Sequence, residues 1–371
     1  MRSKWSNVLT AGTGSRNKYL DILEGAWALH LAPREPDAPT VISTFAGGGG
    51  SSLGYSMAGF RELLAVEWDD NAVATFKLNF PDVPVYHGDI AKLSVEQVLE
   101  MTGLQPGELD VLDGSPPCQG FSTAGKRQID DERNQLFREY VRLLRGLRPK
   151  VLVMENVSGM VKGKMKLLFA EILSELKASG YDVSARLLNA MYFNVPQSRE
   201  RMIFIGVRQD LGVKPSHPKA QSRPVTVREA LDGLSESERD DAIAHEWVDA
   251  KPGSKTYKAL QKTPQGSRLV GFTMARRLAW NEVAGTIQTG GVAPGYPGSS
   301  WPAHPTEHRG ISTREAARLT SFPDRFVFQD WRDGAMRIGN SVPPLFMKAI
   351  AEHIREHILA GMGLEPRRVE D

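Results

Sequence analysis

A single cysteine, Cys118, occurs among the 371 residues. One thiol cannot form an internal disulfide or a multi-cysteine metal site, which leaves it inert packing or thiol chemistry. No run of about eighteen apolar residues is present, so no membrane-spanning helix is expected. The opening residues MRSKWSNVLTAG lack the apolar stretch of a secretory leader, and a cytoplasmic location follows by default. An excess of one charge is missing too: 46 Lys and Arg face 44 Asp and Glu, for a net charge of +2. Any surface for a polyanion must therefore be local. Internal repeats and low-complexity segments are also absent. With 41% hydrophobic and 24% charged residues, the chain can bury a substantial core as one large domain or two smaller ones.

From Thr40 to Arg208 short β-rich runs alternate with helical periodicity, the pattern of βαβ units around a largely parallel sheet. Strands are predicted at 40–45, 62–67, 83–87, 109–113 and 150–155, with two more close together in DVSARLL and RMIFIGV. Between them, NQLFREYVRLLRGL puts Leu136, Tyr140, Val141, Leu144 and Leu147 on one helical face. MKLLFAEILSELKASG reads as a helix closed by Gly180. Composition changes after Leu211. Residues 212 to 308 are rich in Pro, Gly, Ser and charge without sustained period, and read as a small irregular second domain. Regular structure returns where Ser312 and Glu315 have capping-box spacing before TREAARLTSF, and Pro343 opens a last amphipathic helix to about Ala360. KYLDILEGAWALHL, within the first forty residues, has helical amphipathicity.

Five stretches carry chemistry. TFAGGGGSSLGYSMAGF is a strand running through glycines into a helix, which suits either a tight connection or a nucleotide site. About twenty residues on, AVEWDD offers Glu67 to ribose hydroxyls and Trp68 as a flat face for a purine; Asp69 and Asp70 read equally as helix caps. Asp89 in HGDI follows the third strand, within reach of an adenine. GSPPCQGFSTAG places Cys118 in a loop beyond the fourth strand, where the sheet edge binds ligands rather than in the core. VMENVSGM ends the fifth strand with Glu155 and Asn156, so a carboxyl and a thiol can face one cavity. In QSRERMIFIGV, Gln197, Arg199 and Arg201 alternate onto one face, either as an exposed basic edge or as a row of planar donors.

In this order, FAGGGG, EWD, GDI, PPCQGFS, ENV, QSRER, TREAARLTSFPD and IGNSVPP resemble the successive motifs of the DNA (cytosine-5) methyltransferases of bacterial or phage type, over about residues 40 to 360. The resemblance implies an α/β fold with a Rossmann-like S-adenosylmethionine-dependent sheet and a small target-recognition domain. It divides the chain into an N-terminal extension (1–39), a catalytic and cofactor-binding domain (40–211), a target-recognition domain (212–308) and a C-terminal segment completing the catalytic domain (309–371). Thr320 stands where the family has Gln, a departure expected to affect helix packing alone.

The resemblance also implies roles. Cytosine C5 is a poor nucleophile until a thiolate adds at C6, the role carried to Cys118. Glu155, a carboxyl in a desolvated pocket, would protonate N3. Arg199 would hold the base at O2 and steady Glu155, and Arg201 completes the catalytic set. Phe45, Gly47 and Gly49 would meet the methionine part of the cofactor; Glu67, Trp68, Asp89 and Ile90 the ribose and adenine; Asn340 and Val342 would close the site. Pro117, Gln119, Ser122, Asn156 and Gln197 are expected at the substrate. S-adenosylmethionine is the cofactor, S-adenosylhomocysteine the product, and no metal is required.

Double-stranded DNA is the expected partner, with the target base flipped out of the duplex. Lys126 and Arg127, in a polar loop after Cys118, would meet phosphate. A restriction endonuclease acting on the same site is a further candidate partner, the protein acting as a monomer with no membrane, associated with the nucleoid through DNA. Sequence discrimination falls to residues 212–308, which hold Lys255, Lys258, Arg276, Arg277, Gln288 and Thr289. Competing readings are the branch that methylates tRNA, which has PPCQPFT where Gly120, Phe121 and Ser122 stand here, and a DNA-binding relative without catalysis.

Overall fold

Seven β-branched and aliphatic stretches assemble one sheet in the computed structural model, which describes residues 17–117, 132–161, 165–234, 247–288 and 300–362. The strands are β1 (Thr40–Thr44), β2 (Arg61–Glu67), β3 (Val85–His87), β4 (Val111–Gly114), β5 (Val151–Val157), β6 (Tyr181–Asn189) and β7 (Glu200–Arg208). Their order is β3-β2-β1-β4-β5-β7-β6. Strands β1 to β5 are parallel, and β7 runs antiparallel between β5 and β6. The chain order reverses between β1 and β4, where Ile42 lies beside both Leu64 and Leu112. Such a switch point leaves a crevice outside the strand ends.

Strand residues alternate between two cores. Val41, Ala65, Val111, Val153, Ile203 and Ile205 belong to one, Ile42, Leu64, Leu112, Leu152, Met154 and Phe204 to the other. Both faces are thus buried, which is why the strands read as near-continuous apolar runs. Helices α4 (Val95–Thr102), α5 (Glu132–Leu147) and α6 (Met165–Ala178) supply the second core; Tyr140, Val141, Leu144 and Leu147 are buried and Leu136 is partly buried. Gly180, just beyond α6, takes φ +92°, as a helix stop requires.

The first core is covered by α1 (Lys18–Leu31), α2 (Gly50–Met57), α3 (Asp70–Asn79), α7 (Val227–Leu231), α9 (Thr313–Leu319), α10 (Trp331–Asn340) and α11 (Pro344–His353), with α8 (Lys255–Lys262) lying elsewhere. The Ser312–Glu315 capping box of α9 is formed in both directions. The early helix docks: Tyr19, Leu23 and Ala26 are buried, and the Tyr19 hydroxyl donates to the Arg318 carbonyl at 2.9 Å. Helix α11 packs on α2 so closely that a Cβ at Gly54 would lie 2.5 Å from Met347 Cβ and 2.8 Å from Lys348 N.

Residues after Leu211 are divided between two cores. Val227, Leu231, Leu278, Ile287 and Trp301 join the first core of the sheet. Ala250, Leu260, Leu269, Ala275 and Ala303 form a small core of their own. The bidentate Arg309–Glu315 pair, at 2.8 and 2.9 Å, ties the chain leaving that small core to α9.

Candidate active site

Beyond the carboxyl ends of β1, β2, β4 and β5 lies a cavity of about 430 Å³. Its wall begins with the βα turn after β1. Phe45 holds φ +58° and Gly47 φ +57°; only the glycine adopts this without cost, so Phe45 is held strained at the cavity wall. Glu67, at the end of β2, organises the turn. Its Oε2 accepts from Gly47 N at 2.7 Å, and its Oε1 accepts from the N–H groups of Trp68 and Asp69 at 2.9 and 3.0 Å. Gly49 caps α2 at φ +96° and packs on Phe80 and Phe76, so it shapes the turn from behind rather than lining the cavity.

The opposite wall comes from β5 and the segment entering β7. Antiparallel register sets Arg201 opposite Val157, diagonally across from Glu155 on the same face. Arg201 Nε accordingly pairs with Glu155 Oε1 at 2.5 Å, with side chains only 14% and 12% exposed. The carboxyl expected in a desolvated pocket beside Arg199 is instead ion-paired to Arg201. Arg199 precedes the strand and escapes its alternation. It is 2% exposed and donates to the carbonyls of Ile287 at 3.2 Å and Gly339 at 2.9 Å, while its Nε has no partner. Burial, then the neighbouring Arg201, push its guanidinium down to about 9.

Two expected substrate residues have architectural partners. Gln197 is fully buried: its amide donates to Thr320 Oγ1 at 2.9 Å and the Leu319 carbonyl at 3.3 Å, and its oxygen accepts from Ile287 N at 3.2 Å. It joins β7, α9 and the Ile287 segment rather than reaching into the cavity. Thr320 thus does more than pack. Asn156 donates to the Pro116 carbonyl at 3.3 Å, fixing the β4 loop from β5. Pro117 lines the cavity and is the last described residue before Cys118; Cys118, Gln119, Ser122, Lys126 and Arg127 lie outside the described residues, as does Thr289.

The cavity brings together Phe45, Gly47, Glu67, Pro117, Glu155, Asn156, Arg199, Arg201, Asn340 and Val342. Trp68, 76% exposed, does not line it. Asp89 is exposed and caps Ile90–Lys92 by accepting from Ala91 N, which leaves Ile90 buried; neither lines the cavity. Two features escaped sequence reasoning. Arg337 of α10 lines the cavity, pairing with Asp69 at 3.2 Å and Asp333 at 2.9 Å. Behind Ser51, another lining residue, burial and then Glu62 raise Asp113 to about 8, and burial raises Glu62 to about 7. Glu62 Oε2 is sealed with no partner, Oε1 accepts from Ser52, and Asp113 accepts from the Tyr55 hydroxyl.

Residues 39–356 match the family of C-5 cytosine-specific DNA methylases. The chain belongs to this family. It is a DNA (cytosine-5) methyltransferase of bacterial type. Type II methyltransferase M.XorII of Xanthomonas oryzae is 35% identical over 360 residues, covering 85% of this chain and 84% of the relative. M1.HphI of Haemophilus parahaemolyticus is 34% identical over 334 residues, covering 85% and 86%. Among solved structures, a prophage-encoded E. coli protein assigned as a DNA modification methyltransferase superposes with a TM-score of 0.71 at 27% identity, covering 87% of this chain and all of that one. The fold is also that of S. pombe Dnmt2, with a TM-score of 0.61 at 18% identity over 87% of this chain and 99% of that one.

Membership implies S-adenosylmethionine as methyl donor. The cavity of this methylase fits such a group. Its volume lies in the range of small-ligand sites, and Glu67 Oε2, which accepts from Gly47 N alone, keeps lone-pair capacity for a further donor, while Oε1 is filled by the Trp68 and Asp69 N–H groups. No group of three or more metal-ligating side chains occurs among the described residues, and no described helix is long and apolar enough to cross a membrane.

Proposed function

We propose that this methylase modifies C5 of a cytosine turned out of double-stranded DNA, through a covalent bond from Cys118 to C6. The observation that supports this most is one cavity bordered by Pro117, next to Cys118 in the chain, by the Glu155–Arg201 pair, and by Glu67. The Cys118 thiolate adds to C6, and the ring electron pair moves toward N3, which takes a proton delivered at Glu155. C5 is then enamine-like and forms the new carbon–carbon bond. S-adenosylmethionine, when bound, supplies the methyl group. Loss of the C5 proton to a base, with return of the N3 proton, breaks the C6–S bond and frees Cys118. Arg201 holds Glu155 in place, and Arg199 offers Nε–H to the base O2.

Glu67 would take the ribose hydroxyls, Phe45 and Gly47 the methionine portion, with Asn340 and Val342 closing the cofactor from α10 and the turn after it. Trp68, Asp89 and Ile90 would meet the adenine only if it extends past the cavity rim. Residues 212–308 serve target recognition, and the Type II names of the relatives favour a cognate endonuclease as partner. Supplying labelled S-adenosylmethionine with duplex DNA and, separately, tRNA tests the reading. Label in DNA at C5 of one cytosine context supports it; label in tRNA alone, or in neither, overturns it.

A further inference from the structure

A second cleft of about 430 Å³ lies beside the catalytic one, and the two are joined by a third whose wall includes Arg199, Arg201, Thr286 and Gln288. Gln288 and Thr286 border both the connecting cleft and the second one. A duplex whose cytosine enters the first cavity therefore has its neighbouring base pairs near the second.

That cleft is lined from an antiparallel ribbon in which Arg268 and Arg276 stand opposite one another. Leu269 and Ala275 turn inward to the small core, and both arginines turn outward and are exposed. Arg277 also turns inward and is buried against the carbonyls of Thr263 and Glu307. Like charges directly opposite destabilise a ribbon, and among the described residues neither Arg268 nor Arg276 has an ion-pair partner. Stability does not account for them. Arg276 Nη2 donates to the Gly266 carbonyl at 2.8 Å, which fixes the guanidinium plane and leaves its other donors to the cleft. The cleft also holds one carboxylate, Glu282. A groove for phosphate alone has no use for an anion, whereas a G·C pair presents guanine acceptors to arginine and the cytosine amino group to a carboxylate.

We propose that this cleft reads a G·C pair flanking the target cytosine, with Arg276 and Arg268 on the guanine O6 and N7 and Glu282 on the cytosine N4. The proposal rests on the DNA-methylating reading above. The test is deep bisulfite sequencing of a randomised duplex library methylated by the wild type, Arg276→Ala, Arg276→Lys, Arg268→Ala and Glu282→Gln, with melting temperature and S-adenosylhomocysteine binding confirming folded protein. The wild type should require a guanine or its paired cytosine at a fixed flanking position. The variants should lose roughly five- to hundredfold discrimination at that one position while still methylating the original site. Arg276→Lys keeps the charge but loses the planar fork, so it should relax the position as Arg276→Ala does. Unchanged preference in folded variants overturns the proposal. So does a uniform loss on all sequences that Arg276→Lys rescues and that lowers the salt slope, the signature of a phosphate contact. A wild type that methylates no DNA defeats the parent reading, and this one with it.

Discussion

Replacing Glu155 by Gln separates chemistry from stability at the centre of the site. The pair with Arg201 is short, at 2.5 Å, and its side chains are 12–14% exposed. That places it between exposed pairs, worth about 0–1 kcal/mol, and buried pairs whose disruption costs about 3–5 kcal/mol. The amide keeps one oxygen for Arg201 Nε–H, so the expected loss of stability is about 1–2 kcal/mol. A melting temperature lower by about 2–8 °C follows. Chemistry should suffer more. An amide cannot deliver a proton to N3, and positioned acid catalysis contributes about 10²–10⁴ in rate, or roughly 3–5 kcal/mol. A domain with about 5–15 kcal/mol of stability remains folded at 25 °C after losing two, so unfolding cannot imitate that rate loss. The assay is single-turnover transfer of labelled methyl groups at saturating DNA, beside a calorimetric melt. A rate within a few-fold of wild type would refute the assignment of the acid to Glu155.

Glu67→Ala should weaken S-adenosylhomocysteine binding by about tenfold or more, because it removes both the ribose acceptor and the anchor of the Gly47, Trp68 and Asp69 N–H groups; unaltered affinity by titration calorimetry would sink the ribose assignment. Glu62 is raised from 4.5 to about 7, so between those values the folded state holds a proton that the unfolded chain has released. Its contribution is present below about pH 4.5 and is lost as pH rises through 7, by roughly 3 kcal/mol. Glu62→Gln should therefore flatten the fall in stability from pH 5 to pH 8 in denaturant titrations, and a slope equal to wild type would contradict the buried carboxyl. Gly54→Ala should cost about 1–3 kcal/mol by forcing α11 from α2, read as a lower melting temperature; an unchanged melt would show that the helices part freely.

The sheet was legible because strands buried on both faces write long apolar runs between turn residues. All seven strand predictions fall within two residues of the observed bounds at both ends; the third and fourth strands begin two residues later than expected, at Val85 and Val111. Helix α10 was not legible: WRDGAMRIGN carries two glycines, and its reason for being helical is tertiary. A Cβ at Gly334 would lie 2.9 Å from Phe328, so the glycine is a packing choice. Without α10, Arg337 gave no signal, since its partner Asp69 is far away in sequence.

Period-two reasoning put Gln197, Arg199 and Arg201 on one face, but only Arg201 lies within the strand. The strand begins at Glu200, and both earlier side chains answer to segments some ninety or more residues later, Gln197 to Ile287 and Thr320, Arg199 to Ile287 and Gly339. Glu67 was legible as a strand-end acid, but not the three backbone donors it gathers, because those depend on the turn closing over it.

The measurement that bears most directly on the account uses a duplex carrying 5-fluorocytosine at the target position, incubated with S-adenosylmethionine and analysed under denaturing conditions. Fluorine cannot leave C5 as a cation, so the C6–S bond should persist. A denaturation-resistant protein–DNA adduct is predicted, mapped by mass spectrometry to the peptide containing Cys118 and absent from Cys118→Ala. No adduct, under conditions where ordinary DNA is methylated, or an adduct that survives in Cys118→Ala, would contradict the covalent mechanism.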